Sequence, residues 1–135
     1  MSKILGLDYG SKKVGVALSD DGQKVAFPKG VYPNVDPLIW EALANLMLQE
    51  NVSAIVMGLP TALSGEDTET TKEARAFAEN IKKHFRLPLR FEDESFTSKA
   101  VDTNGAAPPH KTDASAAALI LQTFLDRNNL GKKQK

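Results

Sequence analysis

The 135-residue chain contains no cysteine. That absence excludes disulfides, thiolate nucleophiles and every zinc or iron–sulfur site that needs a sulfur ligand. Net charge is absent too, because 17 Lys and Arg balance 17 Asp and Glu. A histone-like or polybasic nucleic-acid binder is thereby excluded, although local basic patches are not. Long apolar runs are also missing. The opening Met-Ser-Lys-Ile-Leu-Gly-Leu-Asp is too short for the apolar core of a signal peptide. Nothing in the chain approaches the ~20 apolar residues of a membrane span, so a cytoplasmic protein is expected. The sequence holds no internal repeat and no low-complexity tract. Only the Lys-rich stretch 131–135 reads as a flexible tail, leaving 1–130 as one domain.

What is present is an ordinary core-forming composition, with 41% hydrophobic and 25% charged residues. The charge is unevenly divided. Residues 1–67 carry 5 basic and 8 acidic side chains, net −3, and residues 68–135 carry 12 and 9, net +3.

Hydrophobic periodicity and turn residues predict the elements. Ile4–Asp8 reads as a buried strand ending in the turn at Gly10 and Ser11, and Val14–Leu18 as its hairpin partner. Val25–Phe27, extending towards Val31, reads as a short third strand broken by Pro28 and Gly30. Asp36-Pro37 predicts a helix start, with Asp36 accepting from the first amides, and the helix runs to about Glu50. Ala54–Met57 is a strand buried on both faces. A helix follows from about Thr68 to His84, with Ala74, Phe77, Ala78 and Ile81 on one face. Leu89–Phe91 is the last strand, and a final helix runs from about Thr112 to about Asn128, stopped by Gly131. The order β-β-β-α-β-α-β-α implies a mixed five-stranded sheet with helices on both faces. That topology matches the ribonuclease-H-like fold.

Carboxylates stand where these elements end. Asp8 closes the first strand, and Gly10 behind it permits a tight turn and the close approach of a phosphate or metal. A turn Asp capping a hairpin explains the same residues. Glu92, Asp93 and Glu94 end the last strand, where like charges repel unless solvated or bound to a cation. Leu89, Phe91 and Asp93 share one strand face, and Arg90, Glu92 and Glu94 the other. Asp113 begins the stripe Ala117, Ile120 and Phe124 of the final helix, so it starts the face turned to the sheet. Acids from the first strand, the last strand and the last helix can converge at one end of the sheet. Such oxygen donors suit Mg²⁺ or Mn²⁺, which can activate a water and stabilise the leaving oxygen of a phosphodiester. The two histidines, His84 and His110, lie at a helix end and in a Pro-rich loop and form no serine–histidine–acid set.

The motifs in series resemble a known family. Leu7-Asp8-Tyr9-Gly10-Ser11-Lys12-Lys13-Val14-Gly15-Val16-Ala17 resembles the opening motif of the YqgF/RuvX proteins, Holliday-junction resolvase-like nucleases implicated in maturing the 5′ end of 16S ribosomal RNA. Met57-Gly58-Leu59-Pro60, Asp93-Glu94-Ser95-Phe96-Thr97-Ser98 and Lys111-Thr112-Asp113-Ala114-Ser115-Ala116-Ala117 resemble three further motifs of that family, in the same order. The resemblance implies a nuclease acting by two metal ions, with Asp8, Glu94 and Asp113 as metal-binding catalytic acids and Asp93 as their neighbour. It implies Mg²⁺ or Mn²⁺ as cofactor, and Lys12, Thr97 and Lys111 as contacts to a nucleic-acid substrate, either precursor rRNA or branched DNA. A homodimer would suit symmetrical cutting of two strands.

Two departures stand out. Ser95 occupies the position where the family commonly has Arg, removing a bidentate phosphate or carboxylate partner. The segment 104–110 is shorter and less basic than its counterpart. These departures motivate a competing expectation, a non-catalytic RNA- or ribosome-precursor-binding factor on a nuclease-like scaffold. A nucleotide-binding lobe of the actin or sugar-kinase type is a third, but it needs two lobes to enclose its nucleotide.

Overall fold

Strand β1 (Lys3–Asp8) buries both of its faces, and so organises the molecule. Leu5 and Leu7 point into one hydrophobic core, while Ile4 belongs to a second core on the opposite side. The structure, a computed structural model, describes residues 2–59, 69–93 and 113–133, with the side chains of 93, 113, 114 and 129–133 outside that description. The elements are β1, β2 (Lys13–Ser19), β3 (Ala26–Pro33), α1 (Leu38–Gln49), β4 (Val52–Leu59), α2 (Glu69–Phe85), β5 (Leu89–Asp93) and α3 (Asp113–Lys133). The strands form one five-stranded sheet in the order β3-β2-β1-β4-β5. β1, β2 and β3 are antiparallel neighbours, and β4 and β5 run parallel to β1. This is the mixed sheet expected from the element order.

α1 and α2 cover one face of the sheet, through Ile39, Leu43 and Leu46 and through Ala74, Phe77, Ala78 and Ile81. α3 covers the other through Ala117, Ile120, Leu121 and Leu125, against Ile4, Ala17 and Val56. Burial on both faces makes β1 and β4 continuous apolar runs. Gly6 lets α3 approach closely. A Cβ added there would lie 2.8 Å from the Leu121 Cβ and 3.2 Å from the Ala117 carbonyl oxygen.

Three elements depart from expectation. β3 is longer than its sequence suggests, passing through Pro28 and Gly30 to Pro33. It lies at the sheet edge, where a missing N–H costs little. Its register shifts where Val16 pairs with Gly30 and Ala17 with Pro28, so Lys29 is bulged out. Asp36 does not cap α1. No side-chain cap bond is made there, and the Asp36 Oδ1 instead accepts the Trp40 indole N–H at 2.6 Å. Finally, α3 continues through Gly131 to Lys133.

Candidate active site

Asp8 is the last residue of β1 and is only 9% exposed. It pairs with Gly15 on β2 and with Gly58 on β4, and Gly58 pairs in turn with Glu92 on β5. Four adjacent strands therefore carry the row Gly15, Asp8, Gly58 and Glu92. Strand alternation places Asp8 on the same face as Ile4 and Gly6, the face covered by α3. The residues directly opposite Asp8 on both adjoining strands are glycines.

The chain after Asp8 turns sharply. A Cβ on Gly10 would sit 2.5 Å from the Lys13 carbonyl oxygen, so this turn needs glycine. Asn34, just past β3, holds the turn from outside. Its Nδ2 donates to the Gly10 carbonyl at 2.8 Å, and its backbone N–H donates to the Lys12 carbonyl at 2.9 Å. Residues Asp8 to Lys13 line a hollow of about 230 Å³. Lys12 and Lys13 are exposed at its margin. Tyr9 lies on the other side of the turn, and burial pushes its phenol above the usual range, against the hydrogen bond with Asn34 and with a smaller push from the Glu73 charge.

Glu92, one of the three acids that end the last strand, is withdrawn from solvent. It is 3% exposed, and its Oε1 accepts from the Arg127 Nη2 at 2.7 Å. An arginine from α3 thus compensates a carboxylate that burial would otherwise penalise. Neither Arg127 nor Asn34 stands out in the sequence. Strand parity did separate Glu92 from Phe91, and an Asn between a strand and a helix is a turn signal. The partners of both lie far away in sequence.

Of the residues anticipated at the site, Asp8 and Lys12 line the same hollow. Asp113 is the first residue of α3, one turn before Ala117, whose carbonyl lies over Gly6. Asp93 is the last residue of β5. Glu94, Ser95, Thr97, the segment 104–110 and Lys111 lie outside the described residues. Among the described residues, no three His, Asp or Glu side chains gather as a metal cluster. His84 is exposed and stacks on Trp40, ring centroids 4.4 Å apart, away from Asp8. Among the described residues, no helix is long and apolar enough to cross a membrane.

Residues 2–127 match the sequence family described as RuvX, Holliday junction resolvase. A protein of Sulfurihydrogenibium sp. (strain YO3AOP1), named "Putative pre-16S rRNA nuclease", is 39% identical over 94% of this chain and 92% of its own length. A protein of the same name from Maridesulfovibrio salexigens is 35% identical, over 93% of this chain and 98% of its own. In three dimensions the chain is similar to T. thermophilus RuvC in complex with Holliday junction substrate. That match has a TM-score of 0.69 and 13% identity, and covers 97% of each chain. The last likeness shows a common fold, the ribonuclease-H-like fold.

Proposed function

The chain belongs to the RuvX family of Holliday junction resolvases, and we propose that it is a metal-dependent nuclease hydrolysing phosphodiester bonds in structured nucleic acid. By the names of its relatives the first substrate to consider is the 5′ region of the 16S ribosomal RNA precursor. Branched DNA comes next, as in the RuvC complex. The observation that carries the reading is Asp8. A shielded carboxylate at the end of a central strand shares a hollow with a glycine turn and two lysines.

In this reading Asp8, Glu94 and Asp113 hold Mg²⁺ or Mn²⁺. The donor set fits hard cations, because every candidate ligand is a carboxylate and the chain has no thiol. Bound there, the metal would supply an activated water and charge for the leaving oxygen. The protein does the positioning. Gly10 keeps the turn free of side-chain bulk where a phosphate would approach, and Lys12 offers that phosphate an ammonium. Asn34 fixes two carbonyls of the same turn, so these groups stand in place before substrate arrives. Thr97 and Lys111 are assigned to the substrate backbone.

The test is cleavage of precursor rRNA and four-way junctions with Mg²⁺ or Mn²⁺, comparing the natural chain with Asp8→Asn and Asp113→Asn. Both substitutions should abolish cutting while leaving the fold intact. Cleavage that survives Asp8→Asn removes this mechanism. Binding without cleavage by the natural chain would mark it as a non-catalytic factor instead.

A further inference from the structure

A second hollow, of about 260 Å³, adjoins the first and shares Tyr9 with it. The two differ in chemistry. In the first, the glycine turn and two lysines beside Asp8 offer a phosphate an approach and positive charge. The second is lined by Tyr9, Trp40 and Phe77 together with Asn34, Asn80 and the acids Asp36 and Glu73. Its aromatic residues form one packed unit. The Phe77 ring centroid lies 5.1 Å from that of Tyr9 and 5.1 Å from that of Trp40. The indole is fixed further by its N–H bond to the Asp36 Oδ1 and by His84 stacked on its face. Tyr9 and Asn34 tie this lining to the turn that carries Lys12.

We infer that this hollow is a nucleobase subsite, taking an unpaired base with an exocyclic amino group, such as guanine, cytosine or adenine, before uracil. The inference rests on the nuclease reading and adds to it the part of the substrate beside the reacting phosphate. Aromatic side chains in the lining favour a flat heterocycle. Carboxylates in the lining repel phosphate and accept from an exocyclic amino group, which uracil lacks, as Asp and Glu accept from the cytosine amino group. The faces of a paired base are covered by its stacked neighbours, so a base lying against these rings must be unpaired, as at a loop or a junction. Because Tyr9 follows Asp8 directly, a base held here would set which phosphate stands at the first hollow.

Trp40 is the sole tryptophan of the chain, so its indole N–H gives a single NMR signal from the lining of the hollow. The full-length protein would be titrated with guanosine, cytidine and uridine, without metal and without phosphate. Guanosine and cytidine should shift that signal saturably, and uridine should bind more weakly. Glu73 is exposed, so Glu73→Gln does not threaten the fold, and it should weaken guanosine about tenfold. An unmoved signal overturns the subsite, as do equal responses to guanosine and uridine, or an unchanged affinity in Glu73→Gln. Since the titration contains no reaction, its result is separate from cleavage. A chain that cuts nucleic acid but shows no shift keeps the nuclease reading and loses the subsite. A saturable shift in a chain that does not cut keeps the subsite and removes that reading.

Discussion

Arg127 on α3 donates to the buried carboxylate of Glu92 on β5 across 2.7 Å, tying the helix to the sheet edge in the cross-strand row that contains Asp8. The pair is asymmetric. The Glu92 side chain is 2% exposed and the Arg127 side chain 66%. Removing Arg127 therefore strands a charge that water reaches poorly, whereas removing Glu92 frees a charge that water already solvates. Arg127→Ala should cost about 1–2 kcal/mol, below the range for fully buried pairs because the guanidinium is largely exposed. Glu92→Gln should cost less. Urea unfolding of the two variants checks the order, and an Arg127→Ala midpoint equal to that of the natural chain would overturn it.

Asn34 should matter more to activity than to stability. Asn34→Ala removes the bond from its Nδ2 to the Gly10 carbonyl, which is worth about 1 kcal/mol. The turn that carries Lys12 then loses half of its support. Asn34→Asp is the informative control, because it keeps the size but has no amide to donate. Both variants should melt within a few degrees of the natural chain yet lose at least about tenfold in kcat. Comparable kcat values in all three proteins would show that the turn holds itself.

Much of this architecture is legible in the sequence because two-sided burial writes itself into continuous apolar runs, as in Leu5–Leu7 and Ile55–Met57. The helix faces are equally plain: Ala74, Phe77, Ala78 and Ile81 are all buried. What stays hidden is set by distant partners. Asp36 beside Pro37 has the local chemistry of a cap, but the Trp40 indole takes its oxygen. The length of β3 depends on its edge position, which permits a proline and a bulge that an inner strand would reject. Glu92 reads as one of three acids at a strand end, and nothing near it in the sequence points to Arg127. Phe77 reads as a core residue of a helix, and it is one. Its contact with Tyr9 and Trp40 becomes visible only when three elements meet.

Gly6 offers a packing test. Gly6→Ala would drive a methyl against the Leu121 Cβ at 2.8 Å and the Ala117 carbonyl at 3.2 Å, lifting α3 from the sheet. The expected loss is about 1–3 kcal/mol, as for other insertions into a filled core. Leu121→Gly alone should also destabilise, by leaving a cavity and a freer helix position. Together they should lose less than the sum, because glycine removes the Leu121 Cβ that the new methyl meets. A double-mutant cycle measures that coupling. Strict additivity would mean that α3 does not approach β1 as closely as described.

Acid should weaken the protein partly through Glu50 and Asp20. The Lys3 ammonium donates to the Glu50 carboxylate at 2.8 Å, and that hydrogen bond, followed by the Lys3 charge, holds the Glu50 carboxyl below its ordinary value. Backbone N–H groups of Val25 and then Lys24 do the same for Asp20. A lowered folded value means that each carboxylate contributes fully above its unfolded value, and that the contribution fades as pH falls through the folded one. Lys3 is raised by the same bond, so its share is present below its unfolded value and is lost only as alkali passes the folded one. Glu50→Gln and Asp20→Asn should each flatten the fall of melting temperature between about pH 5 and pH 2. An unchanged slope in both variants would place the acid sensitivity elsewhere.

Lys12 should reveal itself through salt. It stands exposed at the margin of the hollow that Asp8 closes, and in the proposed reading it neutralises one substrate phosphate. Lys12→Ala should therefore weaken binding to every substrate alike, without altering preference among them. The slope of log affinity against log salt should become shallower by roughly 0.7–0.9, the contribution of one phosphate contact. Lys12→Arg keeps the charge and should keep the slope. Lys24, exposed after β2 and apart from both hollows, supplies the comparison, so Lys24→Ala should leave the slope unchanged. If Lys12→Ala and Lys24→Ala shift it equally, the attraction is diffuse and the turn after Asp8 is no phosphate site.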